Sequence, residues 1–158
     1  MIAIMLEVLE VEEGQKILEI GTGSGYNAAL LAELIGEDGT IYTMERLDTV
    51  AETGRKNLGE VGYDRVNVVV GDGTLGYEEE SPYDRILVTA CAPEVPEPLV
   101  DQLDSGGRLV LPVGSNYMAQ TLFSIDKTES GKTERKRHGG CAFVPLVGDQ
   151  GWDEGEAR

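Results

Sequence analysis

Lys16-Ile17-Leu18-Glu19-Ile20-Gly21-Thr22-Gly23-Ser24-Gly25-Tyr26 is a short apolar run that ends in a glycine-rich turn. Ala28 to Ile35, directly behind it, reads as a buried helix. Strand, glycine turn and helix in that order form the opening βα unit of a nucleotide-binding α/β domain. Gly21, Gly23 and Gly25 can take left-handed dihedrals and let a ligand approach the backbone. The helix N-terminus behind them offers unpaired N–H groups to an electron-rich group. The spacing is G-x-G-x-G rather than the G-x-G-x-x-G of dinucleotide binders.

The rest of the chain repeats this alternation. Gly36 to Gly39 is a tight link, and Thr40 to Glu45 is rich in β-formers and ends in an acid. Leu47, Val50, Ala51, Leu58 and Val61 recur at helical spacing. Val66–Val70 predicts a third strand with Gly71-Asp72-Gly73 at its end, and Tyr83–Thr89 a fourth that leads into Ala90-Cys91-Ala92-Pro93. Pro96 and Pro98 open a short helix through Leu103, and Ser105-Gly106-Gly107 turns into a fifth strand, Arg108–Val113. Met1 to Val11 reads as the rear of a helix. Gln120–Asp126 and Arg137–Leu146 are extended runs joined by the polar stretch Lys127–Lys136. So short a link makes that pair antiparallel. The expected fold is α/β, a mostly parallel sheet finished by an antiparallel hairpin, in one domain over residues 1–158.

In an open parallel sheet, ligands sit outside the carboxyl ends of the strands, near the point where strand order reverses. Glu19 falls beside the glycines, Glu45 ends the second strand, and Asp72 ends the third between two glycines. An acid in Glu45's place can accept both hydroxyls of a ribose, and Asp72 with Gly73 can meet an adenine edge. Clustered carboxylates repel one another, and a cationic ligand relieves that repulsion. S-adenosylmethionine carries a sulfonium and an ammonium, whereas NAD brings a pyrophosphate that this crevice disfavours. Thr89, Ala90, Cys91 and Ala92, after the fourth strand, are the candidate substrate wall. They replace the Asn/Asp-Pro-Pro-Tyr motif of amine methyltransferases, which argues against planar amines as substrates.

Several stretches together resemble the protein-L-isoaspartate O-methyltransferases. They are Leu18–Asn27, Val70-Gly71-Asp72-Gly73, Pro82-Tyr83-Asp84, Val88-Thr89-Ala90, Gln102-Leu103, Gly107–Gly114 and the ending His138–Leu146. The resemblance covers essentially the whole chain. It implies a class I, Rossmann-like methyltransferase with a seven-stranded mixed sheet, which methylates the α-carboxyl of L-isoaspartyl residues in damaged proteins. It also implies that Glu19, the loop residues Gly21, Thr22, Gly23, Ser24 and Gly25, then Glu45, Asp72 and Gly73 hold S-adenosylmethionine. Members of the family carry a further N-terminal segment with a Ser-Ala-Pro-His motif that supplies an active-site serine. That motif is absent from these residues, so no catalytic residue is carried over. A domain that binds S-adenosylmethionine with little turnover is therefore the alternative reading. A nicotinamide oxidoreductase is disfavoured by the glycine spacing and the antiparallel tail.

Composition narrows the setting. A hydrophobic share of 41% and a mean hydropathy of −0.19 describe a globular chain, and apolar runs of about six residues are too short to span a bilayer. Met1–Leu6 is too short, and lacks the basic flank, for a secretory signal. Cys91 and Cys141 have no metal-type spacing and read as reduced thiols, with no metal site, in a cytoplasmic monomer. His138 with Arg135-Lys136-Arg137 reads as a solvated hairpin strand, with contact to an anionic substrate as the alternative, and Trp152 as packing near the chain end. With 29 acids against 13 bases, the net charge of −16 repels phosphate backbones and argues against a nucleic-acid partner. Five of those bases are lysines, and the acids are scattered rather than collected in a tail. This pattern points to adaptation to a salty cytoplasm. Salt shortens the Debye length from about 10 Å at 0.1 M to about 3 Å at 1 M. The melting temperature is therefore expected to climb steeply between dilute buffer and molar potassium chloride, and a flat profile in thermal melts would remove the halophile reading.

Overall fold

The computed structural model describes residues 1–115 and 118–155. In chain order it contains α1 (Ile2–Leu9), β1 (Lys16–Ile20), α2 (Tyr26–Ile35), β2 (Thr40–Glu45), α3 (Asp48–Glu60), β3 (Asn67–Val70), β4 (Tyr83–Val88), α4 (Glu97–Asp101), β5 (Leu103–Ser115), β6 (Met118–Lys127) and β7 (Thr133–Cys141). The strands form a single sheet in the order β3-β2-β1-β4-β5-β6-β7. β1 to β5 are parallel, and β6 and β7 are antiparallel additions. The direction of winding reverses at β1, which pairs with β2 on one side and β4 on the other.

Alternation along β1 builds both faces of the core. Ile17 points into the layer made by α1, α2 and α3, with Met5, Leu9, Leu31, Ile35 and Leu58. Leu18 and Ile20 point into the opposite layer, with Tyr83, Ile86, Leu99, Leu109 and Ile125. α1 is fastened at its C-terminal end, where Arg85 Nε donates to the Leu9 carbonyl at 2.8 Å and an Arg108 guanidinium nitrogen to the Val8 carbonyl at 2.9 Å. Cations there satisfy carbonyls that have no partner inside the helix.

Three boundaries differ appreciably from the sequence reading. Leu103 opens β5 rather than closing the helix, and residues 104–107 bulge outward between the pairs Tyr83–Leu103 and Arg85–Arg108. Gly106, at φ +78°, supplies the left-handed turn that the bulge requires. β7 runs from Thr133 to Cys141, not from Arg137 to Leu146, and Val144 and Leu146 instead bond to Cys91. The stretch Thr133–Lys136 carries no apolar signal because it is an exposed edge, held by its backbone pairing to β6.

The same alternation puts Glu19 on the α2 side of the sheet, where it is fully buried. Asn27 Nδ2 donates to one carboxylate oxygen at 2.6 Å, and Thr43 Oγ1 to the other at 2.5 Å. Thr43 is in turn bonded to Thr22 Oγ1 at 2.8 Å, so the network reaches the glycine turn. Asn27 Oδ1 is buried without a hydrogen-bond partner. Turning that amide over and protonating Glu19 would give this oxygen the hydrogen it lacks. Burial pushes the Glu19 carboxyl up to about 7, against the pull of the Thr43 and Asn27 bonds and with a smaller push from the Glu45 charge. A group raised in the folded state stabilises fully below its unfolded value, and that contribution is lost as pH rises through the folded value. From Glu19 alone, stability is expected to fall between about pH 4.5 and 7, by on the order of 3 kcal/mol. In urea melts, Glu19→Gln should remove that slope. Wild-type and variant profiles that run parallel from pH 5 to 8 would show that Glu19 does not titrate in this window.

Candidate functional site

The carboxyl ends of β1, β2 and β4 open onto a cleft of about 610 Å³, within the range of small-molecule sites. Its floor is Ile20, Gly21 and Gly23 from the first βα unit, with Gly73 from the loop after β3. Met44, Glu45, Arg46, Leu47 and Val50 form one side, and Thr89 and Ala90 the other. The C-terminal return, Val144–Val147 with Glu154, lines the remaining side.

Backbone geometry explains why the floor is glycine. Gly21 has φ +102°, and a Cβ there would lie 2.3 Å from Thr89 Oγ1. That hydroxyl contacts the Ile20 and Gly21 carbonyls at 3.0 and 3.1 Å, tying β4 to the turn. Gly23, at φ +52°, has nothing within 4 Å of the position a Cβ would take. The floor therefore has room for a ligand against bare backbone. Glu45 closes over the turn, with its carboxylate accepting from the Gly23 and Leu47 N–H groups at 3.2 Å each. Two carboxylate oxygens have about four acceptor positions, so this leaves capacity for two more donors.

The structure brings Gly21, Gly23, Glu45, Gly73, Thr89 and Ala90 to one cavity. The other residues singled out in the sequence sit around it. Glu19 and Thr22 lie beneath the turn in the buried network. Ser24 is exposed, and its carbonyl accepts from Asn57 Nδ2 at 3.0 Å. A Cβ on Gly25 would strike Leu58 Cγ at 2.9 Å, so that glycine serves the packing of α3. Asp72 uses one oxygen to accept from Thr74 N and Oγ1, at 2.9 and 2.7 Å, and the other to accept from Asp149 N at 2.8 Å. Its carboxylate thus fastens the C-terminal return to the end of β3. Cys91 and Ala92 are fully buried behind the wall rather than facing the cleft. Burial pushes the Cys91 thiol up to about 11, which rules it out as a nucleophile at neutral pH.

The C-terminal wall is what the sequence reading of the site missed. Leu146 N donates to Cys91 O at 2.8 Å, Cys91 N to Val144 O at 2.8 Å, and Trp152 Nε1 also to Cys91 O at 2.9 Å. Trp152 thereby has a structural role at the site. The Arg46–Glu154 pair, 3.0 Å apart and exposed, links two of the lining residues. The available signal was the apolar run Phe143–Leu146 beyond the last strand, which has to pack on something. Among the described residues no cluster of His, Cys, Asp and Glu could hold a metal ion, and no helix is long and apolar enough to cross a membrane.

The donor set fits S-adenosylmethionine. Bare backbone lies at the turn, spare carboxylate capacity lies at Glu45, and apolar side chains (Ile20, Met44, Val50, Leu146) line the walls.

The chain matches the family model described as protein-L-isoaspartate(D-aspartate) O-methyltransferase over residues 1–151. It is 56% identical over 158 residues to the protein-L-isoaspartate O-methyltransferase of Methanopyrus kandleri, covering 99% of this chain and 70% of that one. It is 57% identical over 155 residues to the protein of the same name from Thermococcus onnurineus, covering 98% and 70%. Among solved structures, one protein-L-isoaspartate O-methyltransferase superposes with a TM-score of 0.86 at 33% identity, covering 95% of this chain and 47% of the other. A Plasmodium falciparum structure described under that enzyme name, in complex with S-adenosyl-L-homocysteine, superposes with a TM-score of 0.80 at 25% identity, covering 92% and 72%. With a model spanning residues 1–151 and more than half of the positions identical to those relatives, the chain belongs to the protein-L-isoaspartate(D-aspartate) O-methyltransferase family.

Proposed function

We propose that this chain transfers a methyl group from S-adenosylmethionine to the α-carboxyl of L-isoaspartyl residues in damaged proteins. The observation that carries this reading is the cleft itself, with Glu45 closing over the exposed Gly21–Gly23 backbone in a chain of this family. Glu45 would accept the ribose hydroxyls, and the backbone at Gly21 and Gly23 would meet the amino-acid end of the cofactor. Glu19 acts from below as a positioning residue, and Asp72 holds the C-terminal wall. Gly73 keeps the floor low at the adenine end, since a Cβ there would lie 2.4 Å from Ile20 Cγ2.

When bound, S-adenosylmethionine supplies an electrophilic methyl group on a sulfonium. The protein's residues have the simpler task of alignment. A carboxylate of reference pKa about 3.9 is already ionised at neutral pH, so no general base is required. His138 is placed accordingly, on β7, with its ring bonded to Ser124 Oγ at 2.8 Å. Thr89 and Ala90 stand where the methyl acceptor would enter, alongside Val144 and Pro145, which pair with Cys91. Holding carboxylate oxygen, methyl carbon and sulfur in line contributes up to about 7–11 kcal/mol. Apolar walls keep water from solvating the anion that must attack.

Charge-assisted hydrogen bonds contribute about 1.5–3 kcal/mol each. Glu45→Ala should therefore weaken S-adenosylmethionine binding at least about tenfold by calorimetry, with the circular dichroism spectrum preserved. Unchanged affinity in the folded variant would sink the assignment of Glu45. The reaction is tested by radiolabelled methyl transfer to an isoaspartyl peptide, with its aspartyl isomer as control. Selective labelling of the isoaspartyl form is the expected result. Equal labelling of both peptides would overturn the reading, as would labelling of neither even after a relative's N-terminal segment is joined ahead of Met1.

A further inference from the structure

β7 is the outermost strand on the side of the sheet away from β3, and no described strand lies beyond it. It is nine residues long, and Thr133–Arg137 are exposed. Lys132, Arg135, Lys136 and Arg137 place four of the chain's 13 bases within six residues, in a protein of net charge −16. Register distributes them over both faces. Arg135 and Arg137 stand opposite Ile125 and Phe123, and Lys136 stands opposite Ser124 on the other face. The Arg135 guanidinium lies 3.5 Å from the Phe123 ring centroid, which holds it extended over the sheet. Among the described residues none of these four bases has a carboxylate within 4.0 Å. Glu134 is the one acid on the strand, and it faces Asp126 across the ladder.

A free edge is protected from self-pairing by charge, above all by lysine. Two of these four bases are arginines, one of them held over an aromatic ring, which edge protection does not require. A second copy laid edge to edge would set these bases against one another, which like charge disfavours. An extended acidic segment would gain backbone hydrogen bonds along the edge and opposite charge on both faces. The strand also leads to the site. From Arg137, the last of the four bases, seven residues of extended chain, about 23 Å, reach Val144, which is 63% exposed and lines the cleft with Thr89.

We propose that the outer edge of β7 docks an extended acidic segment of the protein substrate as an added strand, and so directs an isoaspartyl residue some seven or more positions along the same extended segment to the mouth of the cleft. The proposal rests on the methyl-transfer reading for the identity of the client, and its binding step is measurable without it. Three fluorescein-labelled peptides without isoaspartate serve as probes: alternating Glu-Thr, alternating Gln-Thr, and Glu-Pro in the same length. In dilute buffer the folded wild-type chain should bind Glu-Thr at least about tenfold more tightly than either of the others. The charge effect should vanish in Arg135→Glu/Lys136→Glu/Arg137→Glu, and the milder pair Lys136→Gln/Arg137→Gln should show part of the loss. Equal affinity for Glu-Thr and Gln-Thr overturns the proposal, and so does equal affinity for Glu-Thr and Glu-Pro, which would leave charge without strand pairing. A concentration-dependent dimer in sedimentation that the triple variant abolishes would give the edge to a second copy instead. In methyl-transfer assays, an isoaspartyl peptide with a Glu-Thr extension should show a lower KM than its Gln-Thr counterpart at unchanged kcat. Transfer to both with equal KM overturns the docking role. Preferential binding of Glu-Thr with transfer to neither, even with a relative's N-terminal segment joined ahead of Met1, leaves the docking edge in place and removes the methyl-transfer reading.

Discussion

A carboxylate sealed between a strand and a helix fixes the rest of the site. Glu19 is the sole charged side chain among the fully buried described residues, and its two oxygens take hydrogen bonds from α2 through Asn27 and from β2 through Thr43. An apolar residue of equal size would leave those two donors unsatisfied, at about 1–3 kcal/mol each. Through Thr43 the network holds Thr22 and, with it, the chain between Gly21 and Gly23. Thr89 ties the same turn to β4 from the side, and Glu45 grips it from above. Three strands thus determine one turn, which keeps its left-handed geometry before any ligand arrives. Preorganisation of this kind lowers the ordering cost of binding.

The far wall depends on backbone more than on side-chain chemistry. Cys91 takes part through its own N–H and carbonyl, which pair with Val144 and Leu146, while its thiol is inert. Asp72 and Thr74 hold the backbone N–H groups of Asp149 and Gln150. A Cβ on Gly148 would lie 2.1 Å from the Asp72 carboxylate, so the return can approach that closely only with glycine in place. The polar side chains lining the cleft are few: Glu45, Arg46, Thr89 and Glu154.

The parallel half of the fold was legible because its central strands, β1 and β4, are largely buried on both faces and read as mostly apolar runs. Ile17–Ile20, interrupted by Glu19, and Ile86–Val88 are clear cases. The glycine turn and Glu45 were legible for a related reason, since their positions follow from the strand ends. Asp72 was placed at the correct strand end, yet the partner of its carboxylate was not visible, because Asp149 lies 77 residues away and donates only a backbone N–H. The start of β7 was hidden because an exposed edge has no apolar face to alternate with. Cys91 and Ala92 were expected to face the substrate, but one bridge to Pro145 and one to Val113 turn that stretch inward.

The C-terminal return has a consequence for the order in which the protein matures. The glycine turn, Glu45 and the Thr89 tie are all present once somewhat more than half of the chain has left the ribosome, whereas the wall of the cleft waits for Val144–Val147 and Glu154. A nascent chain that stops short of them has the floor of the site without its enclosure. Whatever ligand the finished cleft holds stabilises only the species that binds it, in proportion to its concentration over its dissociation constant. Ligand binding thus favours chains whose last strand and return are in place, and leaves unfinished ones to their lower intrinsic stability.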